Sequence, residues 1–154
     1  MSENFDRDYA KDILDKRLEA FMKEFDADIS LNETNIHDKT LSRSSLAAKW
    51  CRYEYEEKKY KQKIEDKINA LKQYTANELF KKKKDSIVNQ KASAMLMKAD
   101  AEACLKSSSQ YNSLKEELNA QEDILRFIGE AKQIISQFGF DIKNSIEILK
   151  LEQI

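Results

Sequence analysis

A chain of 154 residues has room for one domain, or for a long helical hairpin plus a small helical domain, and not for two independent cores. Proline is absent, the only glycines are Gly129 and Gly139, and 36% of residues are charged; this is the composition of long exposed helices and argues against a sheet protein. The formal net charge of −1 would exclude a nucleic-acid surface only if it were evenly spread.

It is not evenly spread. Residues 1–48 carry 7 basic and 11 acidic side chains, residues 49–98 carry 14 and 7, and residues 99–154 carry 6 and 10. A basic middle between acidic ends suggests one polyanion-facing surface, with an ordinary solvated Lys-rich helix as the alternative. Mean hydropathy is −0.74, and no stretch approaches the ~18 apolar residues of a membrane span. The acidic start Met1-Ser2-Glu3-Asn4-Phe5-Asp6 is unlike a secretory signal, so a cytoplasmic location is expected. Cys51 and Cys104 match no ligand or redox spacing and read as two small core hydrophobes.

In chain order, Phe5, Tyr9, Ile13, Leu14, Leu18, Phe21, Met22 and Phe25 fall three to five apart and predict a helix over 4–27. Residues 28–34 read as a short loop, with Ser30, Asn32 and Thr34 competing for backbone groups. His37, the only histidine, has no second ligand at metal spacing and is expected at the surface. From Leu46 a long helix is expected. Its stripe of Leu46, Trp50, Tyr53, Glu57, Tyr60, Ile64, Ile68, Leu71, Thr75 and Leu79 is near-heptad with one acidic lapse, and its aromatics suit a core better than a base-stacking role.

The run Lys81 to Lys84 should bend or end that helix by like-charge repulsion. Ile87, Val88, Ala92, Met95, Leu96, Ala99, Ala103 and Leu105 predict another helix, closed at Ser107-Ser108-Ser109. The segment from Leu114 to Phe138 should be the most buried element. Its Leu125, Ile128, Ile134, Ile135 and Phe138 are too apolar for a surface helix and are expected to serve oligomerisation. Gly139 stands where a left-handed C-cap belongs, so a corner and a terminal helix through Ile142, Ile146, Leu149 and Leu151 should follow. The fold class is therefore all-α: long amphipathic helices forming a hairpin plus a small C-terminal helical bundle, assembling into a homo-oligomer. Residues 1–106 form the N-terminal and basic region and 107–154 the oligomerisation region.

No enzyme is expected. Two isolated glycines cannot build a phosphate-cradling loop, there is no clustered Cys or His, and no nucleophile has a base at hand. No cofactor or metal is expected either. On a regular helix Lys49, Arg52, Lys59, Lys63, Lys67, Tyr74 and Lys81 share one strip beside the apolar stripe, interrupted by Glu56. Lys82, Lys83 and Lys84 extend its charge. Lysines that follow phosphates, with a tyrosine able to stack on any base, suit single-stranded nucleic acid better than sequence-specific duplex recognition.

Toward the C-terminus, Ile124-Leu125-Arg126-Phe127-Ile128-Gly129 precedes Gly139-Phe140-Asp141-Ile142-Lys143, and upstream stand Ala48-Lys49-Trp50, Ile64-Glu65 and Leu71-Lys72. This ordered set resembles the UvsY family, recombination mediators of T-even bacteriophages and their relatives, over most of residues 30–152. The resemblance implies a homo-oligomer, of the order of a six- or seven-membered ring, that binds single-stranded DNA. It further implies that the chain helps a RecA-like recombinase displace a single-strand DNA-binding protein, without hydrolytic activity of its own. The family's basic Leu-Lys-Ala-Arg stretch falls at Leu71-Lys72-Gln73-Tyr74, so Lys72 carries over as a DNA contact while Tyr74 replaces the arginine. From the residues alone, a coiled-coil scaffold or assembly chaperone without nucleic acid, and a bundle resting on anionic lipid, remain open alternatives.

Overall fold

The computed structural model describes residues 2–30, 34–83 and 90–153, and every regular element among them is helical. The elements are α1 (Ser2–Ile29), α2 (Ile36–Lys83), α3 (Gln90–Ser107) and α4 (Ser109–Glu152). Among the described residues no helix is long and apolar enough to cross a membrane. Leu31, Asn32, Lys84, Ile87 and Val88 lie outside the described residues, as do the side chains of Phe5, Lys82, Lys83, Ala92, Met95, Leu96 and Phe138.

The joint between α1 and α2 is held by side chains reaching back to backbone. The Lys39 ammonium donates to the carbonyls of Ala27 (2.9 Å) and Asp28 (2.8 Å), and the Asn35 amide donates to the Ser30 carbonyl at 3.2 Å. A cation at the C-terminal end of α1 satisfies carbonyls that have no partner within the helix and suits the negative end of its dipole. α2 begins at Ile36, well ahead of the expected Leu46, because nothing between Asp38 and Ser45 breaks a helix. Ser108 is the N-cap of α4: its φ of −76° and ψ of 124° are extended, and its hydroxyl accepts from the Tyr111 amide at 3.4 Å. The polar serine run thus separates two helices as the sequence predicted.

The expected corner at Gly139 does not form. α4 runs unbroken to Glu152, and no glycine has a positive φ. A glycine within a helix costs about 1 kcal/mol relative to alanine. Here that cost is offset by the burial of Ile142 beyond it and by the Arg43 side chain, whose guanidinium lies against the open face of Gly139 where a Cβ would otherwise stand. In place of a small separate C-terminal bundle there is one long helix.

Contacts between α1 and α2 run in opposite sequence senses, from Arg17 against Glu57 to Asp28 against Lys49. Those between α2 and α4 do too, with Glu54 meeting Lys132 and Glu57 meeting Gln121. One core is shared by the three helices: Leu14 and Phe25 from α1, Leu46 and Trp50 from α2, and Ala120, Ile124, Ile128, Ala131, Ile135 and Ile142 from α4. Trp50 sits at its centre, edge-on to Phe25 (5.4 Å between centroids), Tyr53 (5.4 Å) and Phe127 (6.3 Å). Trp50, Ile124 and Ile128 are fully buried, each contributing roughly 2–3 kcal/mol of apolar transfer. α4 supplies the largest share of this core, as its composition foretold.

Two side-chain expectations are corrected. Cys51 and Cys104 are free and exposed; Cys51 lies a third of the way round α2 from the buried Trp50, which turns it out of the core. Tyr60 belongs to the rim, 43% exposed, with the Arg17 guanidinium 4.5 Å from its ring centroid.

Candidate nucleic-acid interface

The buried residues of α2 all point to one side, which leaves the basic face in solvent. Arg52, Lys59, Lys63 and Lys67 are exposed, and none has a carboxylate partner among the described residues. Lys81 is exposed too and, among the described residues, pairs with Glu78 at 3.7 Å. From Arg52 to Lys81 this face extends roughly 44 Å at 1.5 Å per residue. Other lysines of α2 are committed to structure: Lys58 to Glu54 at 2.6 Å, and Lys61 to Glu65 and Glu122 at 3.8 and 3.7 Å. Exposed pairs of this kind contribute little stability but neutralise charge.

Lys49 is not available to the strip. Its ammonium binds Glu24 (3.0 Å) and Asp28 (2.5 Å) on α1. Burial lowers its pKa, but the hydrogen bonds to Asp28 and Glu24 together outweigh that and leave it above the ordinary lysine value. Asp28 also accepts from the Trp50 indole at 3.0 Å, and Glu24 accepts from the Tyr53 hydroxyl at 2.8 Å. Burial, then the Glu24 carboxylate, pushes the Tyr53 phenol up. The acidic end of α1 therefore consumes the first cation of the strip to dock itself on α2. This could not be read from α2 alone.

Aromatic rings are interleaved with the free cations. Tyr74, 64% exposed, lies on the strip itself, and Tyr55 flanks it, with the Lys59 ammonium 4.4 Å from its ring centroid. Phe80 is half exposed near the end of α2. Tyr55 and Phe80 were missed because they fall outside both the apolar stripe and the lysine spacing; the signal was an aromatic on a face that no helix covers. Lys72 is exposed but stands nine residues from Lys63, half a turn round the helix, so the structure does not bring it into the strip. Of the run expected to extend the charge, only the Lys81 side chain lies among those described.

Beneath the strip the acidic lapse has a partner on each side. Glu57 is 1% exposed; Arg17 of α1 contacts its carboxylate at 2.5 Å, and the buried Gln121 amide of α4 donates to both its carboxylate (2.5 Å) and its backbone carbonyl (3.1 Å). The Gln121 Oε1 atom has no hydrogen-bond partner among the described residues. Nearby, hydrogen bonds from Lys132 and then Lys58 hold the Glu54 carboxyl below the usual carboxylate range, and the same contact raises Lys132. These ionic contacts tie α1 and α4 to α2 and set the azimuth at which α2 presents its basic face.

Of the residues expected to join subunits, Ile128 and Ile135 are buried in the chain's own core, where they hold α4 to α1 and α2. Leu125 is half-buried, while Ile134 is 46% exposed. Further along α4, Phe140, Ile148 and Leu151 are large apolar side chains left in solvent.

Residues 24–153 match the family model described as recombination, repair and ssDNA binding protein UvsY. Comparison with curated proteins and with solved structures finds no match. The matched stretch takes in the whole of α2, α3 and α4, including every candidate residue of the basic face, and leaves out most of α1 and the last residue. The chain therefore belongs to the UvsY family of recombination, repair and single-stranded-DNA-binding proteins.

Proposed function

We propose that this chain is a non-enzymatic, homo-oligomeric recombination mediator. It binds single-stranded DNA along the basic face of α2 and promotes loading of a RecA-like recombinase onto strands covered by single-strand DNA-binding protein. The observation that carries the reading is the row of exposed cations without acidic partners among the described residues, Arg52, Lys59, Lys63 and Lys67, with Tyr74 among them. Such a row follows a phosphate backbone without reading bases, and an exposed ring stacks on any base. Copies of the row tied together in an oligomer raise affinity through effective concentration, which suits a protein that must hold a strand against a competing binding protein. The exposed apolar side chains Ile134, Phe140, Ile148 and Leu151 support assembly.

The test is a salt titration of binding to labelled single-stranded oligonucleotides, with recombinase ATPase on precovered strands as the second readout. Replacing Lys63 and Lys67 with Ala is expected to weaken binding across all sequences and to reduce the log–log salt slope by about 0.7 per lost phosphate contact. Lys72→Ala, on the other side of α2, separates the strip from the motif-based assignment. Unchanged affinity and slope in the Lys63/Lys67 variant would move the site off this face, and an absence of binding by the wild-type chain would favour a scaffold.

A further inference from the structure

At the far end of α2 from the DNA strip, a cavity of about 300 Å³ opens between α2 and the last turns of α4. Its floor is Ile142 and Ile146, and its walls carry Arg43, Lys143 and Lys150. None of these three cations has a carboxylate partner among the described residues. Arg43 is held into the cavity because Gly139, lacking a Cβ, lets its guanidinium lie against α4. Phe140 and Leu151 stand exposed on the adjoining face of α4.

The complement is on the same chain. Asp12, Asp15, Glu19 and Asp26 fall on one face of α1, are exposed and have no cationic partner among the described residues, and Met22 lies exposed beside them. Lys143 and Lys150 are seven residues apart on α4, as are Asp12 and Glu19 on α1, so both pairs repeat at about 10.5 Å along their helices. Asp12, Asp15 and Glu19 cannot reach the cavity within one chain. Arg17 is anchored on Glu57, roughly 21 Å along α2 from Arg43 at 1.5 Å per residue, and the acidic face of α1 looks away from the core.

We infer that the Arg43–Lys143–Lys150 groove of one subunit receives the acidic face of α1 from a second copy. Asp12 and Glu19 pair with the two lysines, Asp15 turns toward Arg43, and Met22 packs near the apolar rim. Glu147, on the outer lip of the groove, then meets Lys23. Two different surfaces meet in this contact, so it is head-to-tail and propagates into a ring when the rotation closes. Asp12, Asp15 and Glu19 precede the stretch that matches the family, whereas Arg43, Lys143 and Lys150 lie within it. The inference rests on the reading of the protein as a homo-oligomer.

Sedimentation velocity of the full chain at low and high salt tests it, with circular dichroism to verify folding of these exposed-site variants. Lys143→Glu with Lys150→Glu, and separately Asp12→Lys with Glu19→Lys, are each expected to weaken assembly about tenfold or more, and the four together to restore much of it. Assembly unchanged by either pair, or no recovery in the combination, overturns the inference while leaving the oligomer reading intact. Sensitivity of the groove pair alone assigns the groove to another acidic occupant and also overturns it. A monomeric wild-type chain removes the oligomer reading and this contact together.

Discussion

Replacing Arg17 with Met is the sharpest probe of how α1 is attached. The change leaves Glu57, 1% exposed, without its cation, and also removes the guanidinium from over the Tyr60 ring, while keeping an unbranched apolar side chain of similar length. Removing one partner of a buried ion pair costs about 3–5 kcal/mol. Two features lower that here: the Arg17 side chain is 33% exposed, so solvent already screens the pair, and Gln121 still donates to the carboxylate. The expected loss is about 2–3 kcal/mol at neutral pH, or a fall in Tm of roughly 5–10 °C for a chain of this size. Urea unfolding at fixed protomer concentration measures it, since assembly makes apparent stability depend on concentration. The double variant Arg17→Met with Glu57→Gln should recover most of the loss, because an amide can still accept from Gln121 and carries no charge. A single variant within about 0.5 kcal/mol of wild type, or a double variant no better than the single, would refute the argument that the cost lies in an uncompensated buried charge.

Ile128→Asp and Ile134→Asp should part company: the first places a charge in the shared core and should prevent stable folding. The second alters a half-exposed surface and should leave the helical circular dichroism intact, so similar effects on secondary structure would contradict the assigned azimuth of α4. Glu54 has a folded-state pKa below its unfolded value. Its ion pairs therefore stabilise the fold fully above the unfolded carboxylate pKa of about 4.3, and the contribution disappears as pH falls through the lowered folded value. Glu54→Gln should accordingly be less stable than wild type at neutral pH and converge on it in acid, as chemical denaturation at a series of pH values would show; a constant gap would contradict the sign. Ser108→Ala should cost about 0.5–1 kcal/mol, at the low end for an N-cap because the bond it removes is 3.4 Å long, with increased amide exchange confined to the first turn of α4.

The helical class, the break at the serines and the exposed cations of the basic face were all legible in the sequence, because each depends on neighbours within a few residues. Spacing of three and four aligns Arg52, Lys59, Lys63 and Lys67 on any regular helix, and a chain without proline has little else to become. Tertiary structure decided which of these residues remain free. Lys49 has the same local credentials as Lys63, yet Glu24 and Asp28 of α1 take it, and nothing within α2 signals that. Glu57 looked like a flaw in an apolar stripe until Arg17 and Gln121 arrived from helices far away in sequence. Gly139 carried a local signal to stop the helix, and the nonlocal packing of Arg43 and Ile142 overrode it. Ile128, Ile134 and Ile135 are alike in composition, but only their azimuth against α1 and α2 sends two inward and one outward. Propensity and periodicity act along the chain; burial and the pairing of charges depend on which other helices lie alongside.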